Sequence, residues 1–208
     1  MKVINANVEI LDEINGDEIL KHIEKVGRTC YKSEDQITSE SAKNFVADLI
    51  KRGHEAMIEH FNISVKFICD RGVTHEIVRH RIASYAQEST RYCNYSKDKF
   101  GNEITVIKPC FWEEGSPNYE RWLVAMLTAE SQYFSLLEHG AVAQEARSVL
   151  PNSLKTEIVV TMNLRELRHF FRLRTAKAAH PQMREVAIML LNELKGKLSV
   201  IFDDIEVK

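Results

Sequence analysis

Residues 155–174 read KTEIVVTMNLRELRHFFRLR and contain a sharp change from a strand pattern to a helix pattern. Lys155–Met162 is rich in β-branched residues and predicts a strand. Asn163 then stands where a helix N-cap belongs, and Glu166 three residues later completes the pattern of a capping box. The helix that follows carries three arginines at i, i+3 and i+7, and hence on one face: Arg165, Arg168 and Arg172. This stretch therefore predicts a strand that leads directly into a helix with a cationic face.

On either side of this stretch, helix patterns outnumber strand patterns. Apolar residues at helical spacing predict helices over residues 16–29, 39–52, 74–82, 117–138, 141–149 and 181–201. Thr38 or Ser39 is the expected cap of the second of these helices. Further strands are predicted over residues 3–11, 62–69 and 103–108. No repeat, low-complexity tract or Pro/Gly/Ser-rich linker interrupts the sequence, so we expect a single domain of mixed α and β structure over residues 1–208.

The composition is typical of a globular protein. The 208 residues include 28 Lys+Arg against 30 Asp+Glu, and 44% are hydrophobic, which excludes the disordered and fibrous classes. No apolar run approaches the roughly 18 residues that span a bilayer, and the first residues lack the apolar block of a signal peptide. The cysteines form no C-x-x-C pair for zinc or redox chemistry: Cys30, Cys69, Cys93 and Cys110. We therefore expect a protein of the reducing cytoplasm with no membrane partner.

Positive charge is concentrated in two segments, although the chain as a whole is nearly neutral. Residues 165–184 contain six Lys or Arg against one acid, Glu166, and residues 79–91 contain three Arg against Glu88. Such segments are typical either of sites for anionic ligands or of solvated basic helix faces. Charge alone leaves both interpretations open.

Residue spacing excludes several common sites. The eight glycines are too far apart to form a dinucleotide fingerprint or a P-loop, so a nucleotide phosphate would have to meet arginine side chains and helix N-termini. His54-Glu55 and His75-Glu76 resemble the start of a zinc-protease motif, but the next histidines follow at i+6 and i+5 rather than at i+4. The sequence therefore predicts no metal site.

The densest group of polar and cationic residues is VRHRIASYAQESTRYCNY, residues 78–95. Arg79, His80 and Arg81 are consecutive, and a core helix would not place three such side chains side by side. A polar series follows them: Ser84, Gln87, Ser89 and Arg91. A solvated basic turn is one interpretation. The other is a nucleotide site, because hydroxyl, amide and guanidinium groups match the hydrogen-bonding needs of a base and its phosphate.

Four motifs in register resemble those of the flavin-dependent thymidylate synthases. The first is Arg79-His80-Arg81, followed after seven residues by Ser89. The other three are Gly53-His54-Glu55 with Glu59-His60, Ala146–Pro151 (ARSVLP), and Asn163-Leu164-Arg165 with His169–Arg174 (HFFRLR). Together the motifs run in order over most of the chain.

This resemblance implies a fold, an activity and a set of ligands. The fold would be of the α+β (mixed α/β) class, with a mainly antiparallel sheet flanked by helices, and would assemble as a homotetramer with shared active sites. The activity would be reductive methylation of dUMP to dTMP, with 5,10-methylenetetrahydrofolate as carbon donor and NADPH as reductant. The working cofactor would be FAD, and no nucleic acid would be bound.

The resemblance also assigns residues to ligands, motif by motif. Expected to bind FAD are His54, Ala56 through its backbone, Arg79, His80, Arg81, Gln87, Asn163, Arg165 and His169. Expected to bind dUMP, with some residues supplied by a neighbouring subunit, are Glu76, Arg79, Gln87, Ser89, Thr90, Arg91, Arg147 and Arg174. Among these, Arg91 and Arg147 are expected to fix the phosphate.

Some positions depart from the family pattern. Glu76 and Gln87 exchange the amide and the acid that are frequent at these two positions, and His169 stands where Asn is common. Cys30 replaces a common Ser, and two extra residues lie between Arg174 and the His180-Pro181-Gln182 segment. These departures bear on individual contacts rather than on the class of protein.

Methylation at C5 of uracil requires an electron-rich ring. Pro109-Cys110 is a poor match to the nucleophile of the classical thymidylate synthases, because Phe111 replaces the expected His, and we expect Cys110 to be a buried, inert thiol. No Asp is placed to orient a His beside Ser89, so a positioning role is predicted for this serine. Fixed positive charge then has to polarise the uracil. Arg174 is the predicted catalytic residue, because its always-charged planar guanidinium suits a uracil carbonyl and a deprotonated ring nitrogen.

Two alternatives remain open from the residues. The basic helix in residues 165–184 could belong to an RNA-binding module, which predicts steep salt dependence and a colourless protein. A different flavin-dependent pyrimidine reductase would share the arginine and flavin requirements. For Arg168 taken alone, a surface ion pair is the predicted role.

Overall fold

The computed structural model describes residues 1–207, and helices predominate in it. The strands are β1 (Lys2–Ile4), β2 (Asn7–Ile10), β3 (Asn62–Asp70), β4 (Ala83–Gln87), β5 (Thr105–Ile107) and β6 (Lys155–Asn163). The helices are α1 (Gly16–Tyr31), α2 (Ser41–Lys51), α3 (Arg71–Ile77), α4 (Pro117–Glu138), α5 (Ala143–Ala146), α6 (Leu164–Arg174), α7 (Pro181–Lys197) and α8 (Ser199–Phe202). Short 3-10 turns occupy Glu34–Gln36, Glu55–His60, Asp98–Phe100 and Arg147–Val149. The predicted mixed α/β class is confirmed.

The strands form two sheets. A four-stranded sheet has the order β2-β3-β6-β4, and β1 pairs with β5 in a separate two-stranded sheet. The β1–β5 pair is parallel, with Lys2 opposite Thr105 and Ile4 opposite Ile107, which is an exception to the mainly antiparallel pairing that we expected. In β3 the alternating residues that the pattern places on one face are buried: Ile63, Val65, Phe67 and Cys69.

The chain divides into two compact units. Unit 1 contains residues 1–7, 67–79 and 86–159, and unit 2 contains residues 8–66, 80–85 and the chain from residue 160 onward. Four of the boundaries fall within strands β2, β3, β4 and β6, and the fifth lies between Arg79 and His80. The sequence contains no linker-like segment, so it gave no indication of this division.

The core of unit 1 is built on α4, which has the bounds that the sequence predicts. Ser116 caps the helix by accepting the Tyr119 N–H, and Pro117 occupies the first turn. Gly140 follows its end at a φ of +92°, a conformation that favours glycine. Its buried side chains pack with residues of the adjoining loops and of β5 in one apolar cluster: Tyr95, Ile104, Val106, Tyr119, Trp122, Met126, Tyr133 and Leu154.

The core of unit 2 is formed by α6, α7 and the segment after them. Met183, Val186 and Leu190 of α7 are buried, as the helical spacing predicts. Phe171 of α6 meets Phe202 of α8 edge to face, with ring centroids 5.5 Å apart. Burial of such aromatic and aliphatic side chains supplies most of the stabilisation of a domain of this size.

Arg168 contradicts its predicted role as a surface ion pair. Its side chain is 1% exposed, and its guanidinium binds both carboxylate oxygens of Asp204 at 2.6 and 2.7 Å. Nε also donates to Glu55 at 3.0 Å, and a further N–H donates to the carbonyl of Ile201. Arg168 is therefore a buried connector of α6, the turn after Gly53 and the residues that follow α8.

Other differences are local. The strand predicted over residues 3–11 is split between β1 and β2, and the helix predicted over 74–82 begins at Arg71 because Asp70 caps it. Helix α2 begins after Glu40 without a side-chain cap, and neither Thr38 nor Ser39 supplies one. Cys110 is exposed rather than buried, because β5 ends three residues before it.

Candidate functional site

Unit 2 brings together the turn at Glu55–His60 and the first turn of α6. The Leu164 N–H donates to the Phe61 carbonyl at 3.0 Å, and Arg165 forms an exposed ion pair with Glu59 at 2.5 Å. The predicted FAD ligands His54, Ala56, Arg165 and His169 are all exposed on these segments. Two of the four motifs, separated by about a hundred residues in sequence, thus meet at the start of one helix.

Asn163 has the predicted capping role. Its Oδ1 accepts the Glu166 N–H at 2.8 Å, so the helix N-terminus is capped by a side chain. The Glu166 carboxylate, expected to turn back to the Asn163 N–H, instead lies 2.8 Å from Nδ1 of His80. The capping box is thereby replaced by a contact with the Arg79-His80-Arg81 motif.

His80 is the best-defined member of the predicted site in unit 2. It is 4% exposed, whereas the following Arg81 is exposed. Its Nε2 accepts the Nε–H of Arg174 at 3.1 Å, while Nδ1 faces Glu166. The rings of His169 and Phe170 pack against it edge on, and the Tyr85 hydroxyl donates to its backbone carbonyl. The predicted catalytic arginine is therefore held by a buried imidazole.

Electrostatics favour the neutral form of this imidazole. Burial lowers the pKa of His80 below its ordinary value, and the positive charge of Arg174 and the neighbouring His169 lower it further. The hydrogen bond and charge of Glu166 act in the opposite direction. Since an arginine Nε always carries its proton, His80 must be unprotonated at Nε2 for the observed hydrogen bond to form.

The surroundings of His80 also include three possible metal ligands. Among the described residues, ligand atoms of His80, Glu166 and His169 lie within 4.8 Å of one another. Both ring nitrogens of His80, however, already face protein groups, and one of those groups is a guanidinium cation. A cation placed here would have to displace Arg174 from His80. We therefore interpret Glu166, His80 and Arg174 as a hydrogen-bonded chain, with His169 in ring contact with His80.

Exposed His54 also borders a cavity in unit 2. The cavity has a volume of about 370 Å³ and is lined by Arg28, Tyr31, Ser33, Gln36, Phe45, Asp48, Leu49, Arg52 and His54. The Arg28 guanidinium lies 4.4 Å above the Phe45 ring. The cavity therefore offers an aromatic ring and polar groups to a ligand, and its two arginines, Arg28 and Arg52, are ion-paired with Glu24 and Asp48.

Unit 1 contains the remaining predicted residues, and Gln87 is the one whose orientation is fixed. Its Nε2 donates to the hydroxyls of Thr74 and Thr156, at 3.1 and 3.4 Å. The amide nitrogen is thus committed to two threonines, which specifies which way the amide faces. Glu76 is half-buried on α3, and Arg79 is exposed just beyond the end of that helix.

The loop after β4 brings two predicted phosphate ligands close to one turn. Arg147 donates to the Thr90 hydroxyl at 3.5 Å, and Arg91 donates to Gln144 at 3.2 Å, so both arginines bridge residues 90–91 and 144–147. The Ser89 hydroxyl accepts the Arg91 N–H at 3.3 Å. Two guanidinium groups beside hydroxyls form a suitable arrangement for a phosphate.

The predicted residues therefore separate by unit. Apart from Arg79 and Gln87, those expected to bind FAD lie in unit 2; apart from Arg174, those expected to bind dUMP lie in unit 1.

Sequence reasoning missed several residues that hold the predicted ones in place: Glu166, Tyr85, Thr74, Thr156 and Gln144. Glu166 carried a signal, its capping position, but that signal pointed to the helix N-terminus. The contact of Glu166 with His80, 86 positions earlier, arises only in the folded chain.

Comparisons with known proteins agree with the motifs. The family model "Thymidylate synthase complementing protein" matches residues 9–198. A Pyrococcus furiosus protein named flavin-dependent thymidylate synthase is 37% identical over 170 residues, which are 81% of this chain and 68% of that protein. A relative of the same name from Geobacter sulfurreducens is 34% identical over 185 residues, covering 85% of this chain and 78% of that protein. Another from Corynebacterium glutamicum is 31% identical over 221 residues, covering 98% and 85%.

A solved structure is similar in fold. It is the UMP/dUMP methylase PolB from Streptomyces cacaoi bound with 5-Br dUMP, with a TM-score of 0.78, 22% identity and coverage of 98% of this chain and 96% of that chain. At this level of identity the similarity concerns the fold alone.

Proposed function

Because this chain belongs to the thymidylate synthase complementing protein family, as its motifs predict, we propose that it is an FAD-dependent methyltransferase that converts dUMP to dTMP. The one-carbon unit would come from 5,10-methylenetetrahydrofolate and the reducing equivalents from NADPH. Tetrahydrofolate and NADP⁺ would then be the products besides dTMP. The enzyme class follows from the family; the reaction and its co-substrates are the proposal.

The observation that carries the proposal is the fixed guanidinium of Arg174. Its Nε is hydrogen-bonded to buried His80 at 3.1 Å, which restricts the orientation of the planar group. Arg174 would bind the uracil carbonyl and the deprotonated ring nitrogen, and so stabilise the electron-rich ring without a thiolate. Preorganised charge of this kind is effective because it costs no reorganisation during the reaction.

The residues of unit 1 fit dUMP by the chemistry of their donors. Arg91 and Arg147 would bind the phosphate beside Thr90, where the structure brings both arginines to one loop. Gln87, oriented by two threonines, would bind the nucleotide together with Ser89, which would orient the base. Glu76 and Arg79 complete the proposed set.

The residues of unit 2 fit FAD by the chemistry of their donors. The capped N-terminus of α6 and Arg165 suit the pyrophosphate, since helix N-termini and guanidinium groups both attract anions. His54, the backbone at Ala56, Arg81, Asn163 and His169 are the other proposed contacts, with His80, Arg79 and Gln87. When bound, the flavin supplies the reducing equivalents that the chain's own residues lack.

We further propose that residues 1–208 act as one thymidylate synthase domain, in a homotetramer with shared active sites. Within residues 1–207, no helix is both long and apolar enough to cross a membrane. Cys30, Cys69 and Cys93 are thiols in the structure, which supports a reducing compartment, and we propose the cytoplasm.

One assay tests the proposal directly. The protein is incubated with dUMP, 5,10-methylenetetrahydrofolate, NADPH and FAD, and the products are separated by chromatography. Formation of dTMP and tetrahydrofolate, from a yellow protein whose flavin spectrum changes with dUMP, is the expected result. A reduced but unmethylated pyrimidine would instead indicate a different reductase. A colourless protein with steeply salt-dependent RNA affinity would indicate an RNA-binding module.

A further inference from the structure

Glu166, His80 and Arg174 form a continuous hydrogen-bonded chain in unit 2. Arg174 Nε–H donates to His80 Nε2 at 3.1 Å, and Nδ1 of the same ring lies 2.8 Å from Glu166 Oε1. Since Nε2 accepts, the ring proton of the neutral imidazole must be on Nδ1. Nδ1–H then donates to Glu166, and the carboxylate selects this tautomer because it can only accept.

We propose that Glu166 is a positioning residue for Arg174: by holding His80 in its Nδ1–H tautomer, Glu166 keeps Nε2 as the acceptor that orients the guanidinium. The inference rests on the proposed function, since it gives Arg174 its orientation for that reaction. It does not require Glu166 to touch either the nucleotide or the flavin.

Burial makes this chain effective. The side chains of His80 and Glu166 are 2% and 9% exposed, so bulk water is a poor substitute for either partner. The rings of His169 and Phe170 pack edge on, at centroid distances of 5.6 and 5.0 Å, and restrict rotation of the imidazole. The Tyr85 hydroxyl holds the His80 backbone through its carbonyl. The His80 ring is therefore fixed in place, and the position of its Nε2 fixes the direction of the Arg174 Nε–H.

A second consequence concerns pH. The titratable and charged groups that face His80 are Glu166, His169 and Arg174 from α6 and Tyr85 from β4. Protonation of His80 would remove the acceptor at Nε2 and place a cation beside Arg174. Turnover is therefore expected to fall on the acid side as His80 becomes protonated. Because Glu166 opposes the lowering of the His80 pKa, removing its charge should move this acid limb to lower pH.

The substitution that tests the proposal is Glu166→Gln, and α1 offers a matched control. Glu18 occupies the same position after an Asn N-cap, since its N–H donates to Asn15 Oδ1, but its carboxylate is exposed and pairs with Lys21. Glu18→Gln thus removes the same charge from the same helix position without touching His80. The backbone cap of each helix is unaffected by either change.

Kinetics are the first measurement. In the holoenzyme, Glu166→Gln should lower kcat for dTMP formation by about tenfold or more, the equivalent of one charge-assisted hydrogen bond, with a smaller change in KM for dUMP. It should also move the acid limb to lower pH, whereas Glu18→Gln should match the wild type. In an Arg174→Ala background, Glu166→Gln should have little further effect, because the two residues act through one chain.

The tautomer is the second measurement, and it does not depend on turnover. Protein labelled with ¹⁵N-histidine should show His80 as a neutral Nδ1–H imidazole, with its signals identified by their loss in His80→Gln. In Glu166→Gln this pattern should change toward the Nε2–H form. A wild-type His80 protonated at Nε2, or wild-type kcat and pH profile in Glu166→Gln, would overturn the inference while leaving the function standing. Wild-type protein that forms no dTMP would instead overturn the proposed function.

Discussion

Among single side chains, Arg174 has the clearest proposed task. Its guanidinium is fixed through Nε by a buried imidazole, and the proposed chemistry needs a permanent positive charge beside the uracil. A charge-assisted hydrogen bond is worth roughly 1.5–3 kcal/mol. The loss of this one group should therefore have a large kinetic effect.

We predict that Arg174→Ala lowers dTMP formation about ten- to a hundredfold or more, since each 1.36 kcal/mol corresponds to a tenfold change in rate. Arg174→Lys should be intermediate, because it keeps the charge but loses the planar fork. Steady-state assays at saturating flavin measure both. Arg172→Ala is the control, since Arg172 lies on the same helix, is exposed and pairs with Glu55. Wild-type turnover in Arg174→Ala would exclude Arg174 from the chemistry.

Arg168 gives a prediction about stability. Breaking a buried ion pair by removing one partner typically costs about 3–5 kcal/mol, so Arg168→Met should lower the free energy of unfolding by about that amount. Arg172→Met, which removes an exposed arginine that shares Glu55, should cost about 1 kcal/mol or less. Urea unfolding curves of both variants measure the difference. Equal costs would mean that the burial of Arg168 has no energetic role.

The ion pair between Arg168 and Asp204 makes the free energy of unfolding depend on pH in the acid range. The hydrogen bond that Arg168 donates to Asp204 lowers the pKa of the Asp204 carboxyl below its ordinary value of 3.8. The stabilisation is therefore fully present above that ordinary value and is lost as the pH falls through the lowered pKa. In Arg168→Met this part of the acid dependence should disappear from unfolding curves recorded at low pH.

Arg168 and His80 also show how far sequence reasoning reaches for single residues. Periodicity predicted the helix that carries Arg168, and the motif singled out His80 as a candidate site residue. The partners of these residues were not predictable, because Asp204 and Glu166 meet them only after segments 36 and 86 positions apart fold together. A local pattern indicates the direction of a side chain on its helix but does not identify what packs against it.

For secondary-structure elements, the strongest predictions concerned those with clear end signals. Helix α4, bounded by Ser116-Pro117 and Gly140, was predicted at its observed limits, and so was the step from β6 into α6 at Asn163. Helix α2 begins two residues later than the predicted start at residue 39. Ser41, in its first turn, accepts the Thr38 N–H and donates to Glu24. The hydrogen bond from Ser41 to Glu24 depends on the packing of α1 against α2, which cannot be predicted from the local sequence of α2.

Two asparagine caps allow the structural and binding roles of Asn163 to be separated. Asn163 caps α6 and Asn15 caps α1 in the same way. Asn163→Ala and Asn15→Ala should each destabilise the fold by about 0.5–2 kcal/mol, the usual cost of an N-cap. Only Asn163→Ala should also weaken FAD binding, measured by the release of flavin on dilution. Equal flavin retention in the two variants would remove Asn163 from the flavin site.

For the chain as a whole, the resemblance predicts an assembly that a single chain does not display. Sedimentation equilibrium of the purified protein should give a mass of about four times the 24.0 kDa of one chain. If active sites are shared, mixing inactive Arg174→Ala with an inactive variant of a different proposed dUMP ligand, such as Arg147→Ala, should restore part of the turnover in mixed tetramers. A monomeric protein with full activity would contradict both expectations.

The parallel pairing of β1 with β5 sets an order of events during biosynthesis. Lys2 pairs with Thr105 and Ile4 with Ile107, so the first strand leaves the ribosome about a hundred residues before its partner. At roughly 5–20 residues per second, that wait lasts on the order of 5–20 s. During this interval the apolar residues of β1 have no sheet to join, so the two-stranded sheet can form only after residue 107 has been synthesised.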